Sequence, residues 1–434
     1  MTQVVGKRVP RYDGIPHVTG RTVFVDDRSF PGMLHVKVFR SPVVKAKILN
    51  IDTSKAKKIT GVAYVATHAD VPNNRAQDEP VLADEIRYLA QPIAAVAAID
   101  EDTAQEAVEQ IKVDLEEDIP VLDPLEAMKP DAPKVRPEGN LFMFGKYPYR
   151  PIRLGDVEQA FTKADMIVEG TYRTQSQQHC QMEPHASIAM MDGAGRCIIY
   201  TMSQAPYLHQ GTIAKILGVP SSKVLMICGT VGGGFGAKND ILVDHVVAVL
   251  ALRTGKPVKW RWTREEEFIA SSRRGAWQID FTDGVMKDGR IIARKIRSIA
   301  DVGAYDLLTD YAVTKHCGLV SGPYAIPNVW VDGYAVFTNK QVATSMRGFA
   351  VNEGTFACEV QMDRVAEAVG VSPWEIRFIN AHRNGDITAT RHTVDSVSLV
   401  ETMQAVARRA GVKLPPHLLM MSSNQRRDEE GRLL

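Results

Sequence analysis

One stretch of the chain is built to bring a backbone close to a ligand: Gly232-Gly233-Gly234-Phe235-Gly236-Ala237-Lys238. Glycine carries no Cβ, tolerates positive φ and lets the main chain approach a bound group closely. The N–H groups of such a loop, with a helix N-terminus behind it, favour anions or oxo groups. Two nucleotide loops are excluded by spacing. A phosphate-binding Walker loop needs Ser or Thr after its lysine, and Lys238 is followed by Asn239. A dinucleotide loop needs G-x-G-x-x-G, and the glycines here run G-x-G-x-G. On spacing alone, a tight strand-to-helix turn explains the stretch as well as a ligand loop does.

Other residue types with chemical potential carry less. His179, Glu183 and His185 could suggest a metal held by side chains. Their spacing is not that of an HExxH helix, and Pro184 breaks any helical i, i+4 pair. The expected role of Glu183 and His185 is structural, bonding neighbouring backbone. The five cysteines, Cys180, Cys197, Cys228, Cys317 and Cys358, form no close pair. Neither a zinc site nor an iron–sulfur cluster is expected of them, and a reducing, cytoplasmic setting suits their odd number.

The elements that must position these residues follow from periodicity. The glycine stretch lies between an expected strand over 224–231 and a helix over 240–253. Gln204 follows an expected strand over 197–202. Further strands are expected over 33–39, 62–66, 93–99, 112–115 and 166–174, and helices over 102–111, 208–217 and 353–368. Residues 1–125 read as a compact α+β domain, and residues 126–152 as a proline-rich linker. Residues 153–421 read as a larger mixed α/β region, and 422–434 as a polar tail holding Glu429 and Glu430. These two and Glu401 are expected to be surface carboxylates. Composition sets the outer bounds. In 434 residues, 52 basic and 51 acidic side chains leave a net charge of +1, which argues against a nucleic-acid binder. The apolar stretch 241–252 is too short to span a bilayer, and residues 1–14 lack the apolar core of a secretory signal.

The glycine stretch resembles the GGGFGGK loop of the molybdenum hydroxylases, the xanthine dehydrogenase and aldehyde oxidase family. Further blocks agree in the same order: residues 7–41, DEPVLADEIRYLAQPIAAV over 78–96, MEPH over 182–185, DVGAY over 301–305, GPYAIPN over 322–328 and TNKQVATSMRGF over 338–349. The resemblance implies an α+β chain. An N-terminal α/β hammerhead-like domain would precede the first part of a large mixed α/β molybdenum-cofactor-binding domain. It implies a molybdenum–molybdopterin cofactor, in a dinucleotide form. Gln204, Gly233, Gly234, Phe235, Gly236 and Arg347 match the cofactor-binding positions. Gln204, Phe235 and Arg347 would surround the molybdenum ligands without bonding the metal. An amide donor, backbone N–H groups and a fixed cation all suit an electron-rich oxo centre.

Phe349 matches an aromatic position that stacks on a planar substrate. Asn239 and Lys315 stand where purine-oxidising members carry glutamate and arginine, so both depart from that pattern. Thr344, Ser345 and Met346 precede Arg347, with no thiol of the carbon-monoxide-oxidising kind. The resemblance therefore implies hydroxylation of an electron-poor carbon in a nicotinate- or purine-like heterocycle, with water as oxygen source. An aldehyde- or xanthine-oxidising subunit and a non-catalytic remnant are the alternatives. Family subunits continue further and carry a glutamate general base in a GxGE-like segment, which this sequence lacks. No catalytic residue is thus expected in this chain. The implied partners are a second molybdopterin-binding subunit carrying that glutamate, an iron–sulfur subunit and an FAD subunit. They would join through a hydrophobic interface on the order of 2,000 Å² or more.

Overall fold

The computed structural model describes residues 4–428 and 431–433. Glu429 and Glu430 lie outside the described residues. The strands, in chain order, are β1 (Leu34–Arg40), β2 (Ala46–Asp52), β3 (Val62–Ala66), β4 (Glu85–Ile86), β5 (Pro92–Ala98), β6 (Lys112–Glu117), β7 (Arg150–Leu154), β8 (Met166–Thr174), β9 (Ala186–Met191), β10 (Cys197–Thr201), β11 (Val224–Cys228), β12 (Val258–Arg261), β13 (Trp277–Val285), β14 (Ile291–Gly303) and β15 (Val329–Phe337). They fall into two compact units, each made of two separate stretches of chain: Met1–Asp118 with His179–Ser272, and Ile119–Gln178 with Arg273–Leu434.

In the first unit, seven strands form one sheet in the order β11-β10-β9-β12-β1-β5-β3, and three more form a second in the order β4-β2-β6. The sequence of β5, PIAAVAA, is apolar on both faces, as a strand covered on both sides must be. It lies between β1 and β3, and Ile93 to Ala98 are all fully buried. In β1, LHVKVFR alternates buried and half-buried residues. The helix Glu101–Glu109 starts where Asp100 accepts the Thr103 N–H at 2.7 Å, and it buries Ala104, Ala107 and Val108. The helix Asp244–Thr254, DHVVAVLALRT, is apolar nearly all round and buries residues 244–251. It packs against β9, β10 and β12 and against the helix Pro206–Leu217.

The strands of the N-terminal region do not all form sheets of their own, although β2, β4 and β6 do. Parallel pairing of β1 with β12, with Leu34 opposite Val258, makes β1, β3 and β5 continuous with the strands that carry the glycine stretch. Periodicity reports which residues form a strand, not which distant strand they pair with.

In the second unit, five strands run β7-β15-β14-β13-β8. The helix Val351–Val369 packs on β8 and β13. Between them lies a fully buried ion pair. Arg294 reaches Asp283 in a fork, Nε to Oδ1 at 2.7 Å and Nη2 to Oδ2 at 2.9 Å, and Gln361 Nε2 donates to Asp283 Oδ2 at 3.0 Å. The proline-rich stretch is ordered by its own side chains. Asp123 caps the helix Pro124–Ala127, and Asn140 donates to the carbonyls of Ala127 and Pro133. Near the C-terminal end, Glu401 accepts the hydroxyls of Ser422 at 3.0 Å and Ser423 at 2.6 Å, which ties residues 422–423 to the unit.

The buried pair yields a stability prediction. Asp283→Ala leaves a buried guanidinium without its partner and should cost on the order of 3–5 kcal/mol in urea unfolding. The double variant Asp283→Leu with Arg294→Met should recover most of that loss. A single variant as stable as the parent would contradict this account of the core.

Candidate functional site

The two sets of expected site residues lie in different units: Gln204, the glycine stretch and Asn239 in the first, Lys315, Arg347 and Phe349 in the second.

In the first unit, the parallel neighbours β10 and β11 end side by side, with Thr201 opposite Cys228. The chain leaving β10 forms Ser203-Gln204, and the chain leaving β11 forms the glycine stretch. The two are stitched together. Gln204 N–H donates to Lys238 O at 2.8 Å, and Gly236 N–H donates to Gln204 Oε1 at 3.0 Å. The Gln204 carboxamide oxygen is thereby used and its Nε2 is left as an exposed donor. A Cβ on Gly234 would stand 2.3 Å from Gln204 Oε1, so only glycine allows this approach. Phe235 takes φ +54° and is half exposed, a left-handed conformation that costs a non-glycine residue on the order of 1 kcal/mol or more. The expected helix after the loop starts later than the periodicity indicates. A 3₁₀ turn, Ala237–Asn239, comes first and the helix begins at Asp244.

Beneath the loop, Glu183 Oε2 accepts the Gly232 N–H at 2.6 Å and the Lys238 ammonium at 2.6 Å. Lys238 is 1% exposed, and burial lowers its pKa despite the Glu183 carboxylate. His185 bonds Glu267 through its backbone N–H and through Nδ1 at 2.8 Å, and its Nε2 faces Ala237 O at 3.3 Å. Gln181 Nε2 donates to the other Glu267 oxygen at 2.7 Å. Burial acts to raise the Glu267 carboxyl, but His185 and Gln181 outweigh it and the pKa is lowered. Glu183 and His185 therefore bond loop backbone, and the MEPH block supports the glycine stretch from below.

In the second unit, Arg347 and Phe349 share one turn. Gly348, Phe349 and Ala350 all have positive φ, +96°, +42° and +64°. Several contacts hold this turn. Arg274 Nη2 donates to Arg347 O at 2.6 Å while its Nη1 pairs with Glu353 at 2.7 Å, both side chains buried. Phe349 N–H donates to Met346 O at 2.6 Å. Asp301, fully buried, accepts the Thr338 hydroxyl at 2.6 Å and the Lys340 ammonium at 2.8 Å. The DVGAY and TNKQ blocks are thus two sides of one support. Arg347 itself is exposed. Phe349 stacks on Tyr311 with centroids 5.4 Å apart, and Lys315 Nζ lies 5.8 Å from the Phe349 ring. The structure places Lys315 and Phe349 side by side, and adds Tyr311. Reasoning from sequence missed Tyr311, Arg274, Glu353 and Glu267. Each acts through partners far away in the chain, and no local motif marks it.

Two family models match the chain. One, the aldehyde oxidase and xanthine dehydrogenase a/b hammerhead domain, covers residues 19–118. The other, the molybdopterin cofactor-binding domain, covers residues 140–381, more than half of the sequence. The chain belongs to the molybdopterin-binding xanthine dehydrogenase and aldehyde oxidase family. It is 36% identical over 415 residues to the nicotinate dehydrogenase large molybdopterin subunit of Eubacterium barkeri, covering 94% of this chain and 96% of that one. It is also 36% identical over 391 residues to a probable xanthine dehydrogenase subunit of Bacillus subtilis, covering 88% of this chain and 52% of that one. The aldehyde oxidoreductase structure from Desulfovibrio gigas superposes with a TM-score of 0.87 at 30% identity, over 92% of this chain and 46% of that one. The chain thus spans about half the length of the second and third proteins.

The residues present fit a molybdopterin cofactor. In the first unit the Gln204 amide donor is exposed beside a loop in which Gly232 and Gly234 leave no room for a side chain; in the second unit, taken by itself, the Arg347 cation is exposed. Among the described residues no helix is long and apolar enough to cross a membrane.

The Arg347 turn carries a pH prediction. His316 is fully buried, stacks on Trp277 with centroids 4.2 Å apart, and sits 2.8 Å from Ala350 O and 2.9 Å from Ser298 Oγ. The carbonyl requires a proton on Nδ1, and Nε2 can then accept from the serine, so the ring is neutral. Burial pushes its pKa down to about 4. Unfolded, a histidine titrates at about 6.5. The unfolded state therefore binds more protons between these values, and stability falls as pH drops through that window. Urea midpoints at pH 7 and pH 5 should converge in His316→Gln relative to the parent. An equal loss in both would contradict the assignment.

Proposed function

We propose that this chain is the large molybdopterin-binding subunit of a hydroxylase acting on an electron-poor carbon of a nicotinate- or purine-like heterocycle, with water as oxygen source. One observation carries the reading: the chain matches 96% of a subunit named as the large one of a nicotinate dehydrogenase, yet about half of a longer relative. In this reading the second half of the molybdenum subunit is a separate polypeptide that brings the glutamate general base. An iron–sulfur subunit and an FAD subunit complete the electron path.

When bound, the cofactor supplies two-electron oxidation with oxygen transfer from water. The chain's own residues hold and orient. Gln204 Nε2 would donate to the cofactor, the backbone of Gly233 to Gly236 would line it, with the Gly236 N–H already held by Gln204 Oε1, and Arg347 would add a positive charge. In the second unit Phe349 would stack on the substrate ring with Lys315 at its polar edge, and Asn239 is the substrate position in the first. Lysine and asparagine in place of arginine and glutamate weaken a purine site, because a bidentate fork and a carboxylate are lost. This favours a nicotinate-like substrate. A dinucleotide form of the pterin belongs to the same proposal, as does the modular division at 126–152 and 422–434. A cytoplasmic setting suits the five cysteines, all free.

The partner needs an apolar surface to meet. Around the glycine stretch Met182 is 91% exposed, Tyr207 83% and Leu208 66%. Large apolar side chains so exposed suit a subunit interface.

Elemental analysis of the purified assembly tests the reading. The parent should carry molybdenum. Gly234→Ala, which drives a methyl group into Gln204, should lower molybdenum per chain several-fold with little change in melting temperature. Arg347→Ala should lower it less, by about two- to fivefold on the scale of one exposed charge–ligand contact. Full molybdenum in Gly234→Ala would contradict the cradle.

A further inference from the structure

Three buried side chains behind Gln204 stand in the order of a nucleophile relay. Ser203 Oγ lies 3.2 Å from His209 Nε2, and His209 Nδ1 lies 2.9 Å from Asp244 Oδ2. The geometry excludes nucleophilic chemistry. A general-base histidine needs a lone pair on the nitrogen facing the serine. Here Nε2 also faces Asn239 O at 2.9 Å, and a carbonyl only accepts, so Nε2 carries a proton. Ser203 is 4% exposed, and its Oγ already accepts the Ala205 N–H at 2.9 Å.

The same geometry fixes the charge. Asp244 Oδ2 accepts from Thr201 Oγ1 at 3.0 Å as well as from His209 Nδ1. Burial acts to raise the Asp244 carboxyl, but His209, Ser187 and Thr201 outweigh it and its pKa is lowered; the ionised carboxylate only accepts, so Nδ1 carries a proton too. His209 is an imidazolium paired with a carboxylate, both about 2–3% exposed. Burial acts to lower the His209 pKa, but Asp244, the Asn239 carbonyl and Asp240 outweigh it and the pKa is raised. The other titratable groups near the pair are His245, which burial holds down at about 4, and the Cys228 thiol, which burial raises. His209 is thus the electrostatic opposite of the neutral His316.

What the pair joins gives it a role. Through Thr201 Oγ1, which accepts the Ser203 N–H at 3.0 Å, it grips the chain leaving β10. Through Asn239 O it grips the turn that ends the glycine stretch. Gln204 sits between the two grips, with its N–H on Lys238 O and its Oε1 on Gly236 N–H. We propose that His209 and Asp244 are positioning residues that lock these two segments together and so fix where the Gln204 amide points. The proposal rests on reading Gln204 as a contact to the molybdenum cofactor. A charge-assisted pair is suited to the task, because it is stronger than neutral hydrogen bonds and stays dry.

The test compares the assembled parent enzyme with His209→Gln, Asp244→Asn and Gln204→Ala. One readout is backbone hydrogen exchange in peptides covering 201–206 and 232–240. The other is the electron paramagnetic resonance signal of the reduced molybdenum. His209→Gln should speed exchange in both peptides at least tenfold, leave β5 and the helix Glu101–Glu109 unchanged, and shift the signal in the same direction as Gln204→Ala. Asp244→Asn should do the same and decides the matter should His209→Gln fail to fold. Parental exchange and a parental signal in a folded variant of the pair would overturn the proposal. A parent enzyme without molybdenum would overturn the cofactor reading beneath it, while the exchange rates would still decide whether the pair locks the two segments.

Discussion

The candidate site of the first unit depends on one close approach: the Gln204 carboxamide lies where a side chain at 234 would be, with its oxygen held by Gly236 N–H. Most of the surrounding sequence makes that approach possible. Two adjacent parallel strands end level with each other and deliver the two segments to the same place. The MEPH block fills the space below, where Glu183 neutralises buried Lys238 and holds Gly232. Using the amide oxygen internally is what frees the amide nitrogen to face outward. A glutamine with both ends free would have no fixed direction.

The second unit solves a similar problem with different means. Its turn at 347–350 runs through three consecutive positive φ angles, two of them at non-glycine residues. Such a backbone persists only where its surroundings over-determine it. Arg274 with Glu353 and the neutral ring of His316 supply that support, each bonding a carbonyl of the turn. Charged histidine is used under Gln204 and neutral histidine under Arg347, and the neighbouring acceptors set the difference.

Much of this was legible in the sequence, and the rest was hidden for identifiable reasons. The strands 62–66 and 166–174 and the helix expected over 208–217 were marked by local periodicity and agree with the structure to within two residues. The fold class and the family followed from ordered blocks. The continuity of β1 with β12 was not legible, because that pairing joins residues more than two hundred positions apart. The late start of the helix at Asp244 was hidden because Ile241, Leu242 and Val243, which precede it, continue its apolar pattern. Of the candidate site, Gln204, the glycines and Arg347 were singled out by motif. His209, Glu267 and Arg274 were not, since a buried charged residue announces itself only through the partner that neutralises it.

Native mass spectrometry of the tagged chain purified from its host, with molybdenum measured on the same sample, decides whether it holds a molybdenum cofactor as one half of a divided subunit. Molybdenum should appear together with a second chain of similar size carrying a GxGE-like segment. A chain that emerges alone and free of molybdenum would contradict the divided-subunit reading.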